Sequence, residues 1–188
     1  MSGERIGYMC ATVILGVVVV VSYGVAFWYY RRADAVHWRG LTGRVWWAWA
    51  ASAGLTALSF IFTFVYWWCL VDPDKTVVWG VAVGQQWSTV GGVFIGFLVG
   101  AIAWAWTFWK SENEPDSCWP AVNNTGALWV TAAGAVGLFV LAVGTRDQDD
   151  VGWKQPLACI CGAVLAGHHL YMDAVFWGMT GGTYVPVS

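Results

Sequence analysis

Long apolar runs alternate with short polar stretches along the whole chain, which is typical of a protein that crosses a membrane several times. Five runs come close to or exceed the roughly 20 residues that a helix needs to cross a bilayer. We predict helices over residues 6–30, 45–70, 77–109, 126–144 and 157–178. The pattern therefore predicts an all-α, polytopic membrane protein, with residues 1–188 forming a single transmembrane helical domain.

The third run is the most distinctive, because its 34 residues from Thr76 to Trp109 include no Asp, Glu, Lys, Arg or His. Small residues recur in it at every fourth position. On one helix they would form a groove with almost no side chains, where a neighbouring helix packs by close approach of the two backbones. The row consists of Gly80, Gly84, Ser88, Gly92, Gly96 and Gly100.

A single helix over 77–109 would be about 50 Å long, whereas the hydrocarbon layer is about 30 Å thick. The unbroken spacing of small residues favours one continuous helix, while Gln85-Gln86 and Gly91-Gly92 indicate a kink or a re-entrant half-helix. We expect the fifth helix to fill the groove of the third, because it repeats the same spacing. Its small residues are Ala158, Gly162 and Ala166.

Four hydroxyl residues share one face of the second predicted helix, at spacings of four, three and four. They could line a polar pathway across the membrane. Alternatively, their hydroxyls bond to carbonyls of the preceding turn or to a neighbouring helix, which costs little in a bilayer. The residues are Ser52, Thr56, Ser59 and Thr63.

Charged residues make up only 11% of the chain, against about a quarter in ordinary soluble proteins, and the net charge is −2. This composition argues against a nucleic-acid partner. Four of the nine basic residues lie between the first two helices, so we expect that arginine loop to face the cytoplasm or the mitochondrial matrix, opposite the N-terminus. We also expect it to bind anionic phospholipid. These residues are Arg31, Arg32, Arg39 and Arg44.

One stretch of the fifth helix carries residues with possible chemistry, namely His168, His169 and Asp173. Ionisable residues at membrane depth are functional candidates by default. His169 and Asp173 are four positions apart and share a helix face, so they could form a proton relay or a structural polar pair. His168 is rotated by about 100° on an α-helix, and we expect the two rings to diverge. The chain supplies too few further ligands for a metal or haem site, so no cofactor is predicted besides bound phospholipid.

No signature of a catalytic membrane enzyme occurs in the sequence. We therefore predict a non-catalytic integral membrane subunit that packs into and stabilises a larger complex of the bioenergetic, respiratory type. Its partners would be other membrane subunits and anionic lipids, and the mitochondrial inner membrane is the first choice of location. The alternative is a small proton-coupled transporter or channel that uses the His169/Asp173 pair and the hydroxyl face of the second helix.

Overall fold

The computed structural model describes residues 2–32, 43–113, 118–147 and 152–171, and this part of the chain is mostly helical. A π-helical turn, Tyr66–Leu70, continues the second helix. Three short strands lie between helices. The elements are α1 (Gly3–Arg32), α2 (Gly43–Val65), β1 (Thr76–Val78), β2 (Val81–Ala82), α3 (Trp87–Asn113), α4 (Cys118–Gly144), β3 (Thr145–Asp147) and α5 (Lys154–Gly167).

Four helices of the described residues are long and apolar enough to cross a membrane, which fits an integral membrane protein. The membrane spans within them are Gly3–Val25, Ala51–Leu70, Trp87–Thr107 and Thr125–Gly144. Helix α5 has 14 residues and continues as a π-helical turn over residues 168–171. Its predicted end at residue 178 lies outside the described residues.

The prediction of a continuous third helix over 77–109 is wrong, because the helix begins only at Trp87. The preceding residues form a hairpin in which Val78 pairs with Val81. This stretch is rich in Val, which favours strands, and its two-residue turn contains Gly80 at a φ of +82°. Apolar strand residues therefore resembled a membrane helix when only hydropathy was considered.

The strands form one antiparallel sheet in the order β2-β1-β3. Its inner face includes Thr76, Val78 and Thr145, which are buried, and Val81 of the edge strand, which is exposed. The Gln86 amide nitrogen donates to the carbonyl oxygens of Val78 at 3.0 Å and Val81 at 3.4 Å, which closes the hairpin against the start of α3. The sheet therefore ties the α2–α3 connection to the end of α4.

Helix α3 packs mainly against α4 and α1, whereas α5 packs mainly against α4 and α2. The prediction that the fifth helix fills a groove of the third is therefore wrong. Its small residues face a different neighbour, since a Cβ at Gly162 would lie 2.9 Å from the Cα of Phe139 on α4. Helix α4 also starts at Cys118 rather than at 126, with Pro120 in its first turn, where proline is tolerated.

Three tryptophans at the sheet end of the bundle are almost completely buried, namely Trp67, Trp68 and Trp87. The rings of Trp68 and Trp87 stack with centroids 5.5 Å apart, and Trp68 also contacts Phe94 at 5.7 Å. Tryptophan usually lies in the headgroup region. Here it forms the hydrophobic core that joins the end of α2 to the start of α3.

Candidate functional site

The two candidate histidines lie in the π-helical turn that follows α5. His168 and His169 are buried, with 6% and 8% of their surface exposed, and their ring centroids are 5.1 Å apart. Both rings lie inside the bundle but contact different helices, His168 on Ser52 of α2 and His169 on Phe97 of α3. Asp173 lies outside the described residues, so its pairing with His169 stays a prediction.

A serine from α2 contacts the histidine pair. The Oγ atom of Ser52 lies 2.8 Å from Nδ1 of His168, and the tautomer of the ring decides which group donates. The contact joins the hydroxyl face of α2 to the turn after α5. Two sets of residues that are separate in the sequence therefore form one polar cluster.

The other hydroxyls of α2 are bonded within the protein. Thr56 donates from Oγ1 to the carbonyl of Ser52 at 2.8 Å, and Thr63 donates to the carbonyl of Ser59 at the same distance. A side-chain hydrogen bond also joins Ser59 to Cys161 of α5. These bonds match the structural alternative for the hydroxyl face, because each satisfies a polar group without water.

The cluster reaches a third helix through His169, whose ring packs edge-on against Phe97 of α3 with centroids 5.0 Å apart. An imidazole and a hydroxyl in hydrogen-bond contact can exchange a proton, which is the chemistry that this arrangement supports. Among the described residues, no three His, Cys, Asp or Glu side chains are grouped so that they could hold a metal ion.

The predicted row of small residues does not lie on one helix. Gly80 is in the hairpin turn and Gly84 is in a 3-10 turn before α3, so only Ser88 and the later members are helical. The first two positions were assigned wrongly because a spacing of four also occurs by coincidence across a hairpin and a short turn.

The helical members of the row differ in their surroundings. A Cβ added at Gly92 or Gly96 would meet no atom within 4 Å. A Cβ at Gly100 would lie 2.7 Å from the backbone nitrogen of Thr131 on α4. Of these three glycines, only Gly100 packs tightly against a helix among the described residues.

One glycine from each of α3 and α4 lies directly against the backbone of the other helix. Gly100 faces the backbone of Thr131, and a Cβ at Gly134 would lie 2.7 Å from the Cα of Phe97. The absence of side chains lets the two backbones approach each other on both sides of the interface. Glycine packing of the expected kind is therefore present, but between α3 and α4.

Arg5 is a buried residue that the sequence interpretation missed, since it started the first helix at Ile6. The guanidinium donates from Nη2 to the carbonyl oxygens of Trp68 at 2.9 Å and Val71 at 3.1 Å, and lies 4.7 Å from the ring centroid of Trp87. Only 6% of the residue is exposed. A basic residue in the first turn of a helix is unfavourable next to the positive end of the helix dipole. This position was the sequence feature that could have indicated a binding partner for Arg5 outside its own helix.

The predicted lipid-binding arginines are not placed by the structure. Arg39 lies outside the described residues. Arg31, Arg32 and Arg44 belong to the ends of α1 and α2, but their side chains lie outside the described part. Anionic lipid at this loop therefore stays a prediction.

No protein-family model, curated protein or solved structure matches this chain.

Proposed function

We propose that this protein is a non-catalytic subunit that packs into and stabilises a larger membrane protein complex. The open face of α3 at Gly92 and Gly96 carries the proposal, because no atom of the described residues lies within 4 Å of a Cβ added at either position. Small residues on the surface of a membrane helix allow another helix to approach closely. A helix from a partner subunit would therefore find its tightest contact on this face.

Helix α1 offers a second large surface to partners. Only two residues of its span, Arg5 and Thr12, are buried, and among the described elements it packs mainly on α3. Tyr8 lies against Gly91 and the ring of Tyr23 lies 5.3 Å from that of Trp104, which fixes one side of α1. The opposite side consists of exposed aliphatic residues, Val13, Ile14, Val17, Val20, Val21 and Val25.

We further propose that the complex is bioenergetic, with the mitochondrial inner membrane as the first compartment to examine. Anionic phospholipid would bind at the arginine loop, where each basic residue near an anionic leaflet contributes about 1 kcal/mol. Purification from that membrane with co-migrating subunits would support this assignment, and recovery from another membrane would contradict it.

Gly96→Leu is expected to leave the isolated protein folded but to lower co-purification of partner subunits about tenfold or more. The space next to Gly96 accepts a side chain in the free protein, whereas overpacking at an interface costs about 1–3 kcal/mol, and each 1.4 kcal/mol is a factor of ten in binding. The measurement is quantitative pull-down in mild detergent, accompanied by thermal unfolding of the purified chain.

Gly54→Leu is the matched control, because Gly54 on α2 also has no atom within 4 Å of an added Cβ. It should change neither the pull-down nor the unfolding temperature. If the wild-type protein purifies as a monodisperse monomer with no partner, or if Gly96→Leu and Gly54→Leu behave alike, the open face of α3 contacts lipid and the proposal fails.

A proton-coupled transporter or channel is the second candidate, and the hydrogen bond between Ser52 and His168 favours it. Both histidines are buried among α2, α3 and α5. Burial of an ionisable group at membrane depth costs free energy, so such residues usually have a function. In this proposal the route would include the Ser52–His168 contact and the predicted His169/Asp173 pair.

Ser52→Ala is expected to lower proton flux in liposomes about tenfold or more if the Ser52–His168 bond is part of a route, since a positioned proton donor or acceptor contributes at least about 100-fold in catalysis. Thr56→Ala is the control, because its hydroxyl bonds to a carbonyl of its own helix. Flux that is unchanged in Ser52→Ala, or absent from the wild type, would end the transporter proposal.

A further inference from the structure

The turn between β1 and β2 holds a tryptophan in an unusual backbone conformation. Trp79 has a φ of +52° and Gly80 a φ of +82°, which are the signs of a type I′ turn. That turn favours Asn-Gly or Asp-Gly, and a bulky residue with positive φ is strained. The conformation therefore costs stability, which indicates that the indole side chain has a use at this position.

The indole of Trp79 is held in place but remains largely exposed. Its ring lies against Gly144, where an added Cβ would collide with it, and its backbone N–H donates to the Gly144 carbonyl at 3.0 Å. Even so, 63% of the residue is exposed. Gly144 thus provides a slot that orients the ring, while most of the indole points away from the protein.

The strand register places an arginine on the outer face of the sheet. Val77 pairs with Arg146 and Val78 pairs with Thr145. Arg146 therefore shares the outer face of the sheet with Val77, while the ring of Trp79, in the turn after β1, lies against Gly144, two positions before Arg146. Arg146 is exposed, and it carries the only charge among the outer-face positions of the described sheet. Those positions are Val77, Ala82 and Arg146, and Trp79 and Gly144 lie beside them.

A bilayer placed around the four spans would have its headgroups at the level of the outer face. Three spans meet the sheet, since one ends at Leu70, one begins at Trp87 and one ends at Gly144. The strands β1, β2 and β3 lie immediately outside these span ends. An indole at this depth has an apolar ring for the acyl boundary and an N–H for the polar layer, while a guanidinium matches phosphate oxygens.

We propose that the outer face of the sheet binds the phospholipid headgroup layer, with Arg146 on a lipid phosphate and Trp79 at the boundary between headgroups and acyl chains. This site lies at the end of the bundle opposite the arginine loop and does not depend on a partner subunit. It fastens the β1–β2 hairpin and the end of α4 to the same lipid layer.

The test is thermal unfolding of the full chain in a phosphate-free maltoside detergent, with and without dioleoyl phosphatidylglycerol. Trp79→Asn creates the favoured Asn-Gly turn, so without lipid its unfolding temperature should rise by about 2–4 °C through relief of strain. The same variant should lose at least half of the rise that lipid produces in the wild type. Arg146→Gln should lose a similar part of the lipid response while its unfolding temperature without lipid is unchanged.

Lys154→Gln is the matched control, because Lys154 is an exposed basic residue at the same end but lies on α5 and not on the sheet. It should keep the full lipid response. A full response in both Trp79→Asn and Arg146→Gln would overturn the proposal, as would an equal response of the wild type to inorganic phosphate alone. If Trp79→Asn does not fold, Arg146→Gln alone decides. If Trp79→Asn or Arg146→Gln lost a co-purifying protein while its lipid response stayed unchanged, that result would also contradict the proposal.

Discussion

Gly134→Ala is expected to lower the free energy of unfolding by about 3 kcal/mol, the upper part of the range for overpacking. The added Cβ would lie 2.7 Å from the Cα and 2.8 Å from the nitrogen of Phe97, and backbone atoms cannot rotate away as a side chain can. Helices α3 and α4 would have to separate along their contact. The measurement is chemical or thermal unfolding in detergent.

Open glycines on the same two helices provide the controls. Gly96 on α3 and Gly126 on α4 have no atom within 4 Å of an added Cβ, so alanine there should be neutral or slightly stabilising, because alanine favours helix over glycine. Gly100→Ala should resemble Gly134→Ala. The double variant should lose less than the sum of the two, since one separation of the helices relieves both contacts. Equal stability of all four single variants would refute the close contact.

Arg5→Ala is expected to lower the free energy of unfolding by about 3–5 kcal/mol. The substitution removes two hydrogen bonds from a charged donor, worth about 1.5–3 kcal/mol each, and a cation–π contact. It also leaves the carbonyls of Trp68 and Val71 without their donor at the end of the π-helical turn. Unfolding in detergent, followed by proteolysis of the N-terminus, would show whether α1 separates from the rest.

Arg146→Ala is the control for charge, because it removes an exposed guanidinium and should change stability by less than about 0.5 kcal/mol in detergent. Arg5→Lys keeps the charge but cannot present the planar donors of arginine, so it should fall between the wild type and Arg5→Ala. A stability of Arg5→Ala close to that of Arg146→Ala would mean that the guanidinium contacts contribute little.

The helices at the start of the chain were predictable because an apolar segment in a bilayer has few possible backbone structures. Backbone groups in lipid must be satisfied within the segment, so a long apolar run becomes a helix. Helix α1 was expected over 6–30 and spans Gly3–Arg32, and the second helix, expected over 45–70, spans Gly43–Val65 with the π-helical turn through Leu70. Hydropathy alone was sufficient for these segments.

The third segment was not predictable in the same way, because a period of four among small residues says nothing about whether the chain is helical. Gly80 lies in a turn and has a positive φ, whereas Gly100 lies at a contact between two helices, yet both fit the same four-residue spacing. The β-branched residues around the turn were the better signal. In a membrane segment that signal is weak, since valine is also common in lipid-embedded helices.

The candidate site could be predicted as a list of residues but not as an arrangement. Ser52 and His168 are 116 positions apart, and no period in the sequence relates them. Both histidines lie in a π-helical turn, and no pattern in the sequence indicates such a turn. Arg5 was missed for a related reason, because its acceptors lie 63 and 66 positions away and are backbone carbonyls, which every residue has.

The contacts of Arg5 also constrain the order of events during biosynthesis. The guanidinium is translated before its acceptors at Trp68 and Val71, which lie 63 and 66 positions later, and before its ring partner Trp87. Until these residues are made, the charge has to remain in water or among headgroups. We therefore expect α1 to enter the bilayer before it attaches to α2, since the attachment is complete only when the chain has been extended past the start of α3.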